Sequence, residues 1–347
     1  MKIHEISGQT GHSRILVGQA MDDMGRYLPD KCPLVVITDE NVRRLYEDRF
    51  PKADDVIVIG TGEAIKTLDT VRVIYERLVA AQADRSVFLL GIGGGIVCDV
   101  TGFVASTYLR GVRFGYMATT LLAQVDAGVG GKTGVNFMGY KNMVGTFNQP
   151  ELVVCDPRFL ATLPEEDLAC GFAEIVKHAA IADIQYFEKL EAFAGKAGAA
   201  DPETIESIVH RSVLIKADIV RRDEREKGER RKLNFGHTLG HALEKTAGLR
   251  HGHAVSIGMA AAARLSMEQG RVSADDVVRL ENLLASLDLP TRAVMDVPAV
   301  IDALARDKKR EGDLIHFVLL NGIGHAVVEP IRLDLLEKVL LEKTLPA

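Results

Sequence analysis

Residues Asn234-Phe235-Gly236-His237-Thr238-Leu239-Gly240-His241 set two histidines four positions apart. On a helix both imidazoles share one face, one turn from each other. A second pair, His251 and His253, follows closely, so four of the ten histidines fall in one short region. Imidazole binds zinc and carries protons near neutral pH, so the crowding points to metal or acid–base chemistry. An isolated HxxxH is also what a solvated helix face produces, and the remaining sequence has to decide. Upstream, Ala173-Glu174-Ile175-Val176-Lys177-His178 puts a carboxylate and an ammonium on one helical turn in apolar company. A buried Glu174 needs a metal or a cation beside it. One glutamate with two histidines is a workable catalytic zinc set that leaves positions open for substrate oxygens.

Two glycine-rich segments point to anions. Gly91-Ile92-Gly93-Gly94-Gly95 follows an apolar run, where a parallel sheet receives phosphates against a helix N-terminus. Ile96 stands where GxGxxG has its third glycine, so the match is loose. Asp99 is either a helix-start residue or a ligand for a cofactor hydroxyl. Gly130-Gly131-Lys132-Thr133 ends like a Walker A, but Asp126 occupies the position of the first glycine, which excludes an ATPase P-loop. That leaves Lys132 on a glycine loop suited to a substrate phosphate, with Lys141-Asn142 after it. Lys216, Arg230 and Lys308-Lys309 can complete an anion pocket, although spacing alone does not select them.

The elements that must position these residues change character along the chain. Leu34–Thr38, Val56–Ile59 and Ser86–Leu90 read as buried strands, separated by helical spacing over 41–50 and 67–81. That alternation predicts a parallel sheet of βαβ units. Leu152–Cys155 reads as a last strand. Beyond it the pattern is helical, clearest over 207–222, 236–247, 253–269 and 274–287, with a small hairpin around Asn321-Gly322. The expectation is an α/β, Rossmann-like nucleotide-binding domain over 1–155 and a mainly α-helical domain over 156–347.

Composition excludes several classes. At 347 residues with net charge −6 the chain offers no basic footprint for nucleic acid. Its start lacks the pattern of a signal peptide, and Asp99 interrupts the best apolar run, so no membrane segment is expected. Cys32, Cys98, Cys155 and Cys170 form no CxxC and no disulfide framework, which fits a reducing cytoplasm.

Taken in order, these motifs resemble the 3-dehydroquinate synthase family. The resemblance runs through Gly93–Asp99, Arg110-Gly111-Val112, Thr119–Leu122, Gln124–Asp126, Lys132-Thr133, Lys141-Asn142 and Thr162-Leu163-Pro164. It continues through Ala173-Glu174 with Lys177, Asn234–His241, His251-Gly252 and Arg306–Lys309. It implies a dehydroquinate synthase-like fold with NAD, a divalent metal (zinc first, cobalt second) and an active site in the cleft between domains. It also implies a homodimer acting on a sugar acid phosphate. NAD would transiently oxidise the C5 hydroxyl of 3-deoxy-D-arabino-heptulosonate 7-phosphate, acidifying C6–H. Phosphate would leave by β-elimination, the ketone would be reduced back, and an aldol step would close 3-dehydroquinate.

By position, the resemblance assigns Glu174, His237 and His251 to the metal and His241 to proton transfer. Lys132, Asn142, Asn234, Lys308 and Lys309 fall to the phosphate, with Arg110 reaching in from a second subunit. Lys216 and Arg230 fall to the substrate carboxylate, and Asp126 and Lys177 to its hydroxyls. For NAD it assigns Asp39, Asn41, Glu63, Lys66, Gly94, Gly95, Ile96, Asp99, Thr119, Thr120, Lys141, and the turn from Phe159 to Thr162. Departures are Thr61 for an aspartate before Gly62-Glu63, Cys98 for a glycine, and His253 for a glutamate. The last leaves His253 as the alternative ligand to His251. The rival readings are a related cyclase, such as 2-deoxy-scyllo-inosose synthase or a sedoheptulose 7-phosphate cyclase, and a metal-dependent polyol dehydrogenase.

Overall fold

The computed structural model describes residues 1–18, 21–194, 201–305, 310–311 and 314–341. Lys308 and Lys309 lie outside the described residues. The chain divides into two compact units, Met1–Leu163 with Pro202–Arg225, and Pro164–Asp201 with Glu226–Ala347.

The first unit is built on a seven-stranded sheet in the order β1-β2-β9-β6-β5-β3-β4. β1 (Lys2–Gly8) and β2 (Gly11–Val17) form an antiparallel hairpin at one edge. β3 (Leu34–Asp39), β4 (Asp55–Ile59), β5 (Phe88–Gly93), β6 (Arg113–Ala118) and β9 (Leu152–Cys155) run parallel. Val36, Leu90, Ile92, Met117 and Val154 meet in the core. Strands covered on both faces must be apolar throughout, as β5 and β9 are. The connecting helices are α1 (Glu40–Tyr46), α2 (Leu68–Ala80) and α3 (Gly95–Thr107).

β7 (Lys132–Phe137) and β8 (Tyr140–Phe147) form a separate two-stranded hairpin where a glycine loop was expected. The glycines serve pairing here, because Gly134 stands opposite Gly145 and Lys132 opposite Phe147. Lys132 therefore opens a strand. β5 likewise runs on through Gly91 and Gly93, so the glycine turn shrinks to Gly94 and Gly95.

The second unit contains α4 (Glu165–Ala182) and α5 (Ile184–Phe193). α7 (His237–Ala247), α8 (His251–Glu268), α9 (Ala274–Ser286), α10 (Val297–Ala305) and α11 (Leu333–Leu341) complete its helices. β10 (Arg310–Glu311), β11 (Leu314–Leu320) and β12 (Ala326–Arg332) form a three-stranded antiparallel sheet. The expected hairpin is thus present, with its second strand displaced toward the C-terminus. α6 (Pro202–Arg222) departs from the single boundary expected at 155/156: it packs on β1 and β2 and belongs to the first unit. Its buried Ile208, Val209 and Val213 give it an apolar face to lay down there. Among the described residues no helix is long and apolar enough to cross a membrane.

Candidate functional site

Backbone contacts draw three helices of the second unit together. Gly236 precedes α7 at φ 78°, and a Cβ there would come within 2.6 Å of the Val255 carbonyl. It faces Gly258, whose own Cβ would lie 2.0 Å from the Gly236 oxygen, so α7 starts against the bare backbone of α8. Gly252 repeats the device toward α4, since a Cβ would sit 2.3 Å from the Cys170 Cα, one turn before Glu174. His237 and His251 are the first residues of α7 and α8. The two glycine contacts therefore deliver both imidazoles to one carboxylate.

The Nε2 atoms of His237 and His251 lie 3.5 and 3.4 Å from Glu174 Oε1. These separations match the roughly 3.3 Å edge of a tetrahedron with bonds near 2.0–2.1 Å to zinc. Each Nδ1 faces away and is occupied, His237 by the Phe235 carbonyl at 3.2 Å and His251 by Glu244 Oε1 at 2.6 Å. Those oxygens accept, so the Nδ1 atoms carry protons and both Nε2 atoms face Glu174, that of His251 offering its lone pair once its second proton is lost. Glu174 is wholly buried, and neither of its oxygens has a hydrogen-bond partner of regular geometry. The donor set fits a divalent cation, with Glu174 also paired to buried Lys177. Histidine 253 is not part of the three-residue cluster.

Glu174, Lys177 and the two imidazoles act on one another's charge. Burial alone would raise the Glu174 carboxyl, but its ion-pair partner Lys177 and then His237 hold it well below the usual range. Burial, then Lys177, drives His237 far down and keeps it neutral. Burial also works against His251, yet hydrogen bonds to Glu174 and Glu244 raise it to about 9.

His241 lies one turn beyond His237, with ring centroids 5.4 Å apart at 88°, and is exposed. Glu244 is on the same face, seven residues after His237. It is not among the residues expected from the sequence, although the i, i+4, i+7 series places it on the histidine face. Arg230 is buried in the 3-10 turn Glu229–Asn234, and the Asn234 amide donates to Glu226 Oε1 at 2.7 Å.

The first unit brings together other expected residues. Buried Lys66 pairs with Asp99 and donates to Asn142 Oδ1 at 2.5 Å. Burial pushes the Asp99 carboxyl up, with Lys66 opposing. The Asn142 amide in turn donates to Asn136 Oδ1 at 2.9 Å, and Asn136 Nδ2 to Glu63 Oε1 at 2.8 Å. Asn142, assigned by resemblance to phosphate, is thus tied to residues assigned to NAD. Asn136 was not foreseen. Asp99 is the fifth residue of α3, beyond its start.

Gly94 caps α3 ahead of Gly95 and Ile96, and a Cβ on it would lie 3.0 Å from Thr120 Cγ2. Thr119 donates its amide to the Gly93 carbonyl at 3.0 Å, holding the end of β6 to the end of β5. Asp39 Oδ1 caps α1 by accepting from the Asn41 and Val42 amides at 2.9 Å. The Phe159 ring is spent in the core, stacked edge-on against Tyr46, whose hydroxyl is 2.5 Å from Thr162 Oγ1.

Asp126 sits in a single π-turn, Ala123–Ala127, and Lys216 from α6 pairs with its carboxylate and donates to its carbonyl at 2.6 Å. Single π-turns recur at functional sites. Lys132 and Lys141 are exposed on the β7–β8 hairpin. Arg110 is exposed at φ 68°, between Leu109 at 49° and Gly111 at 120°, a run of left-handed backbone that only Gly111 adopts freely.

Comparison with known proteins agrees over most of the chain. Residues 56–170 match the family model 3-dehydroquinate synthase N-terminal, and residues 171–310 match 3-dehydroquinate synthase C-terminal. A 3-dehydroquinate synthase of Dehalococcoides mccartyi (strain ATCC BAA-2266 / KCTC 15142 / 195) is 44% identical over 305 residues, 85% of each chain. A solved 2-deoxy-scyllo-inosose synthase, complexed with carbaglucose-6-phosphate, NAD+ and Co2+, superposes with TM-score 0.89 at 27% identity. That match covers 98% of this chain and 100% of the other. A 2-epi-5-epi-valiolone synthase from Streptomyces hygroscopicus subsp. jinggangensis 5008, with NAD+ and Zn2+ bound, gives 0.88 at 29% identity over 99% of both chains. The chain belongs to the 3-dehydroquinate synthase family.

Proposed function

We propose that the chain is a 3-dehydroquinate synthase, converting 3-deoxy-D-arabino-heptulosonate 7-phosphate to 3-dehydroquinate and phosphate. The observation that carries the reading is the cluster of Glu174, His237 and His251, with both Nδ1 atoms occupied and both Nε2 atoms converging on one carboxylate. A divalent metal held by these residues, zinc first, would act as a Lewis acid on the substrate hydroxyls. NAD would take the C5 hydride and return it to the same carbon, so the net reaction is redox-neutral.

The protein's own groups do the rest. His241, exposed one turn from His237, handles the proton lost as the hydroxyl is oxidised. Lys177 and Asp126 hold substrate hydroxyls, and Lys216 and Arg230 take the carboxylate. Lys132, Asn142, Asn234, Lys308 and Lys309 hold the phosphate as it leaves. The NAD set is that assigned by resemblance, with Gly94 and Gly95 giving backbone access at the α3 N-terminus.

By the same resemblance the chain would form a homodimer in which Arg110, exposed in the Leu109–Gly111 turn, serves the site of the other copy. Four free cysteines support a reducing cytoplasmic setting.

The test mixes the protein with NAD, Zn2+ or Co2+, and the heptulosonate phosphate. Equimolar release of phosphate and dehydroquinate without net NADH is expected. Phosphate release only from glucose 6-phosphate or sedoheptulose 7-phosphate would replace the proposal with a related cyclase. Accumulating NADH would indicate a dehydrogenase.

A further inference from the structure

Glu244 lies in the last turns of α7, and the three residues Gly248–Arg250 connect that helix to α8. Gly248, at φ 64°, turns the chain back, so Glu244 comes level with the first residue of α8. Its side chain is 5% exposed, and its Oε1 accepts a hydrogen bond from His251 Nδ1 at 2.6 Å. This oxygen is on the far side of the ring from Nε2, so Glu244 backs His251 without joining the ligand set.

We propose that Glu244 is a positioning residue: it fixes the tautomer and ring orientation of His251 and makes that imidazole the stronger donor of the two. The inference rests on the reading of Glu174, His237 and His251 as the metal set. Three observations carry it. The hydrogen bond is short and charge-assisted, whereas His237 has only a neutral carbonyl at 3.2 Å. A carboxylate behind an imidazole raises its basicity toward a metal. His251 also stands at the positive end of α8, where a cation is disfavoured, and a buried carboxylate at that point offsets the helix dipole. The i, i+4, i+7 series on α7 thus has three separate roles: His237 as ligand, His241 as proton carrier and Glu244 as support for the ligand from the next helix.

The probes are Zn2+ and Co2+, measured by competition with a chelator and by the visible absorption of bound Co2+. Glu244→Gln should weaken both ions by about 10- to 100-fold and alter the Co2+ spectrum. Glu244→Asp, which keeps the charge on a shorter arm, should fall between parent and Glu244→Gln. Thermal unfolding with and without metal separates this role from a structural one. A positioning residue shrinks the metal-induced increment in Tm, whereas a structural residue lowers both curves equally. Parent-like affinity and spectrum in Glu244→Gln, or equal lowering of both curves, overturns the proposal. Glu174→Gln is the control for the metal set. If that variant binds metal like the parent, the ligand reading itself fails. If it loses metal while Glu244→Gln does not, only the role of Glu244 fails.

Discussion

In the helical unit, His237 and His251 each commit Nδ1 to a fixed partner and turn Nε2 toward Glu174. In the sheet unit, Lys66, Asp99 and Asn142 spend their polar atoms on one another, as Lys216 and Asp126 do. The first arrangement aims both Nε2 atoms at Glu174, which Lys177 also pairs, so that a cation there takes the place of the His251 proton. The second is already neutralised, so a ligand there must exchange one set of polar contacts for another. Ligand loss should therefore be catastrophic at the metal cluster, while at the Lys66 network the same kind of change should be felt first as stability.

Glu174→Gln carries the largest expected effect. Loss of the charged ligand should remove bound metal and lower kcat/KM by roughly a thousandfold or more, read by metal content and turnover. His241→Asn should come next, with kcat down about 10²- to 10⁴-fold while metal content stays at the parent level. A parallel loss of metal would move His241 into the ligand set and break the contrast between the two α7 histidines.

Lys66→Met should cost about 1–3 kcal/mol of stability in urea unfolding, because half-buried Asp99 loses its counter-charge. Weaker NAD binding is expected in the same variant, and unchanged stability would remove the network's role as a store of neutralised charge.

The smallest effect is a pH slope. The raised pKa of His251 means that metal-free protein gains stability from this proton below the ordinary value near 6.5 and loses it as pH rises through about 9. A metal must displace that proton. Its apparent affinity should rise about tenfold per pH unit up to about 9 and then level off, measurable by chelator competition.

The chemistry was more legible in the sequence than the frame that holds it. HxxxH spacing and an apolar helix around Glu174 were enough to suggest a site, because helical periodicity converts sequence distance directly into direction. Glu244 was equally readable at i+7, but its partner is on another helix, and no spacing rule announces a contact across a turn. The choice between His251 and His253 depends on which residue opens α8, and boundaries one or two positions apart reverse the answer.

The β-structure was harder to read. Gly134 and Gly145 look like loop residues until they stand opposite each other, and Gly115 in β6 weakens an otherwise β-prone run. α6 showed its amphipathic face but not which layer it covers, which is a property of tertiary packing alone.

The central claim is that α8 opens with a ligand at His251 and that His253 is a bystander. Titration of metal-free protein with Co2+, followed by visible absorption, tests it in the parent, His251→Ala and His253→Ala. The account predicts one tightly bound equivalent in the parent and in His253→Ala, and none in His251→Ala. Tight binding retained by His251→Ala and lost by His253→Ala would contradict it.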